Sequence, residues 1–206
     1  MSFLLTRPKY DEATHYLYHW AILLVEEIKR KGIALFDMEK EKVLKKPFQS
    51  YLQKKSPEVV ILNGHGNTSQ VAGHNNEIIL DTSDDPALFR GKTFFVRACS
   101  AGRLLGPFAV KSGARAFIGY REPFKFWTNA AYIQRPLEDN FAKPFQDSSN
   151  QVPISLMKGR SAQEAHDDSI VVYKKEIAKL LNSNAENSFI VPDLIWNMVH
   201  QECLRP

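Results

Sequence analysis

Two short segments carry residues able to serve as a nucleophile and its base. The first is Asn63-Gly64-His65-Gly66 and the second is Arg97-Ala98-Cys99-Ser100-Ala101-Gly102. A thiol is a strong nucleophile once its proton is gone, and an imidazole can take that proton near neutral pH. His65 sits between two glycines, on a backbone with wide conformational freedom. Gly66 has no side chain, so its N–H can approach a substrate carbonyl, and the Cys99 N–H can join it in an oxyanion hole. A helix opening just after Cys99 would place the positive end of its dipole near the sulfur and favour the thiolate. Taken singly, a cysteine at a strand end is usually a small buried hydrophobe and a loop histidine usually a surface residue. Found at two comparable strand ends of one sheet, the two point to catalysis.

The elements that must position them can be read from pattern. Val59-Val60-Ile61-Leu62 and Phe94-Phe95-Val96 are continuous apolar runs, which suit strands buried on both faces of a parallel sheet. Phe3-Leu4-Leu5, Ile33-Ala34-Leu35-Phe36 and Ala116-Phe117-Ile118-Gly119 read as further strands. A helix capped by Asp11 is expected to run to about Lys31, with Leu17, Trp20, Ala21, Leu24, Val25 and Ile28 on one face. Others are expected near Pro47, from Leu104 to Ser112, from a Ser161/Glu164 capping box toward Leu181, and after Asp193 as cap. The loop after Asn63 is expected to hold a small hairpin around Asn75-Asn76, and Asp147-Ser148-Ser149-Asn150 reads as a polar loop. Strands separated by helices imply an α/β sandwich, with a parallel sheet covered on both faces. Ligands of such sheets bind beyond the carboxyl ends of the strands, where His65 and Cys99 lie.

The whole chain, residues 1–206, reads as one domain with no linker or repeat. Its content, 44% hydrophobic and 24% charged, is that of a globular protein. Two cysteines make no disulfide framework, and no signal-peptide pattern or membrane-length apolar run is present, so a cytoplasmic protein with free thiols is expected. The net charge of +4 is spread out. Its densest stretch, Lys40 to Lys46, suits a solvated helix face better than nucleic-acid binding.

An apolar strand ending in His-Gly, then one ending in Ala-Cys and small residues, resembles the caspase-like superfamily of cysteine peptidases. The segments from Phe108 to Gly119 and from Leu156 to Ala165 are similar in pattern to bacterial CHAT-domain proteases. The likeness runs from the first strand to about Ala165. It implies a caspase-like three-layer sandwich and a Cys99–His65 dyad, with Gly66 and Cys99 as the oxyanion hole. It also implies a protein substrate, no cofactor and no metal, and regulation by a partner protein. The position two before the nucleophile often lines the pocket for the side chain preceding the cut in this superfamily. Arg97 stands there, and its guanidinium would suit Asp or Glu. Two readings stay open: Arg97 meets a substrate carboxylate, or it pairs with Asp81, Asp84 or Asp85. Asn63, Tyr120 and Trp127 are the other candidates for substrate contact. The chain departs from many relatives in carrying Ser100-Ala101 before Gly102.

Three rivals remain at this level. A zinc hydrolase could use His65, His74 and Asp81, although the His65–His74 spacing is not a familiar ligand motif. A silent caspase-like scaffold would bind partners without cleaving them. A flavodoxin-like nucleotide binder lacks any phosphate-binding glycine motif.

Overall fold

The computed structural model describes residues 1–182 and 186–206. Its main sheet has six strands: β1 (Ser2–Arg7), β2 (Ala34–Glu39), β3 (Val59–Asn63), β6 (Thr93–Arg97), β7 (Ala116–Tyr120) and β8 (Gln201–Leu204). Their order is β2-β1-β3-β6-β7-β8. The first five run parallel, and β8 pairs antiparallel with β7. A separate ribbon pairs β4 (Gln70–Ala72) with β5 (Ile78–Asp81).

Helices cover both faces. On one lie α1 (Glu12–Arg30), α4 (Lys143–Met157) and the start of α5 (Ala162–Asn182), packed on Phe3, Leu5, Ile61, Phe95 and Ile118 through Leu24, Ile28, Val152 and Ala165. On the other lie α2 (Lys45–Lys54) and α3 (Leu105–Lys111), with Phe48, Leu52 and Leu105 against Leu4, Val60, Phe94 and Phe117. Alternate residues of each central strand feed opposite faces, which is why their sequences are apolar throughout. A third cluster, with Tyr16, Trp20, Tyr120, Phe124, Tyr173 and Leu194 of α6 (Val191–His200), closes the carboxyl end of the sheet.

Local chemistry sets the boundaries. Asp11 caps α1 by accepting from the Thr14 N–H, and the Thr14 hydroxyl reaches back to the cap backbone. Gly32, at φ 66°, takes the left-handed turn that ends it. Ser161 and Glu164 form the reciprocal bonds that open α5.

Two expectations are corrected, and one strand is added. Asp147-Ser148-Ser149-Asn150 is a turn of α4, with both serines and Asn150 buried. Each serine hydroxyl donates to the carbonyl four residues back, and Asn150 bonds into the core, so tertiary partners override a loop-forming composition. Asp193 lies inside the first turn of α6 rather than at its cap. The C-terminal strand β8, which the sequence pattern does not announce, carries Cys203 against the sheet core. No helix among the described residues is long and apolar enough to cross a membrane.

Candidate active site

β3 and β6 are neighbours with Asn63 opposite Arg97. His65 and Cys99 are each two residues past that pair, so the register delivers both to the same edge of the sheet. The Gly64 N–H donates to the Arg97 carbonyl and extends the pairing by one step. Beyond it, β4 pins the His65 segment. The Ala72 N–H donates to the His65 carbonyl at 2.9 Å and the Asn67 N–H to the Gln70 carbonyl at 3.0 Å. These two bonds close the bridge between Gly66 and Val71, leaving the Gly66 N–H outside the ladder.

The glycines are required by close approach. A Cβ on Gly66 would lie 3.0 Å from Ala98 Cβ, 2.8 Å from the Gln70 carbonyl oxygen and 3.5 Å from the Cys99 carbonyl oxygen. Gly64 adopts φ 154°, and its Cβ would collide with the Ala72 carbonyl. The His-Gly and Ala-Cys segments are therefore packed backbone to backbone.

Just past β6, Cys99 enters a tight turn. Ser100 comes next at φ 56°, a left-handed conformation that costs a non-glycine residue about 1 kcal/mol or more. It is held by Ser100 N–H to Glu122 carbonyl and Gly102 N–H to Tyr120 carbonyl bonds. A Gly102 side chain would run into Glu202. The extra residue before Gly102 is thus taken up by a turn clamped to the loop after β7.

The expected helix-dipole activation of Cys99 is corrected. α3 begins only at Leu105, after several residues of turn. Cys99 is half-buried, with its Sγ 4.0 Å from the Phe124 carbonyl oxygen, and burial raises its thiol above the ordinary value of about 9. The resting sulfur is a thiol rather than a preformed thiolate. With Cys203 replaced by serine, iodoacetamide should alkylate Cys99 more slowly than a free cysteine peptide at neutral pH. The rate should keep climbing at pH values where the peptide has levelled off, because a raised pKa postpones ionisation. A plateau at or below neutral pH would contradict this.

His65 is partly exposed, and its Nε2 lies 2.6 Å from Asp11 Oδ2, while Tyr10 meets the ring edge-on at 6.1 Å. In the sequence Asp11 shows itself only as a helix cap. Burial by itself would raise its carboxyl, but bonds from Thr14 and His65 outweigh that and hold it below the ordinary carboxylate value. A carboxylate 54 positions from its histidine leaves no spacing signal; only the β1–β3 pairing brings them together.

Of the residues expected to meet substrate, Arg97, Asn63 and Tyr120 are fully enclosed, and Trp127 is exposed. Arg97 Nε and Nη2 donate to Asn63 Oδ1, and Nη1 donates to Ser149 Oγ and Asn150 Oδ1. Tyr120 accepts from Gln201 and faces the Tyr173 hydroxyl at 3.1 Å. Arg97 therefore lines no open pocket. The alternative pairing fails too: Asp81 and Asp84 bind Lys45, and Asp85 caps its own turn. No carboxylate bonds to Arg97 among the described residues, and burial pushes its pKa down to about 10. Over it stands an aromatic stack. The Trp20 ring lies 5.3 Å from the guanidinium, Phe126 5.0 Å from Trp20, and Phe124 4.7 Å from Tyr120. Beside the stack, Phe124, Phe126, Trp127, Glu12 and Asp193 line an open cleft, with Trp127 donating to Asp193.

The zinc alternative finds no support in the geometry. Asp81 is committed to Lys45, and no group of three or more His, Cys, Asp or Glu residues among the described ones is placed to hold a metal. No family model matches this chain, and no curated protein sequence matches it.

Proposed function

We propose that this chain is a caspase-like cysteine endopeptidase held in a closed resting form. The observation that carries the reading is the packing of Gly66 against Ala98 and Cys99, which sets a histidine and a cysteine at register-matched ends of adjacent parallel strands. In the reaction, His65 takes the proton of the Cys99 thiol as the sulfur attacks the scissile carbonyl carbon. The oxygen becomes an oxyanion, received by the N–H groups of Gly66 and Cys99. Collapse breaks the C–N bond, the leaving amine takes the proton from His65, and an acyl-thioester remains on Cys99. Water, deprotonated by His65, releases the acid and restores the thiol.

The resting form explains the raised thiol. The loop from Arg121 to Trp127 lays the Phe124 carbonyl beside Cys99 and packs Phe124 on Tyr120 and Phe126 on Trp20, the ring that covers Arg97. Lifting that loop would lower the desolvation of Cys99 and take Phe126 off Trp20, freeing that ring to turn aside from a guanidinium bonded only to neutral acceptors. Such a charge suits an incoming carboxylate, so cleavage after Asp or Glu is the expected preference. A partner protein that grips the loop would be the activator. The second reading, a scaffold that binds partners without cleaving them, draws on the same burial of Cys99.

The test is intact-mass analysis after treatment with peptide chloromethyl ketones bearing Asp, Glu, Arg, Lys or Leu beside the warhead. One adduct, strongest with Asp or Glu and absent in Cys99→Ala, is expected. Adducts strongest with Arg or Lys would remove the acidic preference and keep the peptidase. Adduct formation undiminished in Cys99→Ala would remove the peptidase.

A further inference from the structure

We infer that Asp11 is a positioning residue of this site, orienting His65 and fixing which ring nitrogen carries the proton. The inference deepens the peptidase reading and rests on it for its catalytic consequence. The carboxylate is held by both oxygens. Oδ1 accepts from the Thr14 N–H at 2.8 Å and from the Thr14 hydroxyl at 2.7 Å, and Oδ2 is left for His65 Nε2 at 2.6 Å. The cap therefore sets the plane of the carboxylate and aims its second oxygen. α1, whose first turn supplies that cap, is 19 residues long and anchored through buried Leu17, Trp20, Leu24 and Ile28. The aim of Oδ2 is thus tied to the core. Asp11 and His65 are each about 40% exposed, so water screens the pair and it adds little to stability.

The consequence lies in the tautomer. An ionised carboxylate can only accept, so the neutral imidazole must carry its proton on Nε2. Nδ1 is then the acceptor left for the Cys99 thiol. When His65 takes that proton, the adjacent carboxylate stabilises the imidazolium. A nucleophile, a base and a group that orients the base is the general arrangement for activating a weak nucleophile.

Asparagine and alanine at position 11 separate this role from capping. Asparagine caps a helix as well as aspartate does, so Asp11→Asn should keep the thermal midpoint of the wild type. With its oxygen on Thr14, however, it offers an NH2 group to Nε2 and demands the opposite tautomer, with Nδ1–H facing the thiol. Alanine loses the cap but imposes no tautomer. The effects should therefore cross. Asp11→Asn should be the more damaged in catalysis, losing roughly 10²- to 10⁴-fold in kcat as a reversed tautomer disables the base. Asp11→Ala should be the less stable.

The experiment has two readouts. Nitrogen-15 NMR of histidine-labelled protein, at a pH well above the ordinary histidine range, assigns the His65 tautomer whether or not the isolated chain is active. Hydrolysis of the peptide chosen by the probe panel supplies kcat and KM. Nε2–H in the wild type, Nδ1–H in Asp11→Asn and a crossed order of activity and stability are expected. Nδ1–H in the wild type, or an Asp11→Asn enzyme with wild-type kcat, would overturn the role of Asp11. If instead Cys99→Ala and His65→Ala both retain hydrolysis, the peptidase reading fails, and the tautomer result still decides what Asp11 does to His65.

Discussion

Replacing Cys99 by alanine is expected to remove peptide hydrolysis to background, and replacing His65 by alanine to lower it by roughly 10²- to 10⁴-fold. The two should differ because in the proposed reaction the sulfur forms the covalent intermediate and nothing stands in for it, whereas a histidine supplies proton transfer that hydroxide or buffer can partly replace. Neither change should cost much stability. Cys99 is half-buried and makes only a long contact with the Phe124 carbonyl, and His65 is about 40% exposed. Combining them should add little beyond the cysteine change alone, since groups acting in one step are non-additive. Initial rates on the peptide selected by the warhead panel, with thermal midpoints as the control for folding, decide it. A His65→Ala enzyme within about twofold of wild type would sink the dyad.

The placement of this pair is legible in the sequence because it rests on strand logic. Continuous apolar runs declare strands buried on both faces, and the residues just past such strands lie at the functional edge of a parallel sheet. Val59–Leu62 and Phe94–Val96 behave in that way, and their being neighbours puts Asn63 in register with Arg97. Less legible is everything set by partners distant in sequence. The polar stretch from Asp147 to Asn150 looks like a loop until Arg97 is seen to need Ser149 and Asn150 as acceptors. Asp11 looks like a helix cap because its second oxygen meets a residue 54 positions away. β8 is four residues long, partly polar and directly abuts α6, so neither alternation nor a turn signal announces it. The state of Cys99 is hidden for a related reason. A dipole argument needs a helix that starts at the cysteine, and the Ser100–Gly102 turn postpones α3 while the loop after β7 covers the sulfur.

Arg97 carries the second large effect, on stability. Its guanidinium is fully buried and gives four hydrogen bonds to three neutral side chains: two to Asn63, one to Ser149 and one to Asn150. Burying a cation without an anion is costly, which on its own favours an apolar residue of similar length. The surroundings argue otherwise. With methionine at position 97, the oxygens of Asn63 and Asn150 would lose their charged donor inside the core. Each orphaned buried acceptor costs about 1–3 kcal/mol. The amides of both asparagines are already spent on the Thr6 and Trp20 carbonyls, so neither can simply turn over to hide its oxygen. Arg97→Met is therefore expected to lose about 3–5 kcal/mol, or roughly 10 °C in thermal midpoint for a chain of this size. Lysine keeps the charge but not the fork, so it can serve only part of the same set and should fall between the two. Denaturant unfolding of the three proteins measures this directly. A methionine variant as stable as wild type would mean that water or a side-chain rearrangement satisfies those oxygens. It would also make Arg97 free to be read as a specificity residue alone. The expected loss means instead that any preference for acidic substrates draws on a guanidinium the fold already needs, and that Arg97→Lys, the variant that keeps most of the network, is the one in which to look for a changed preference.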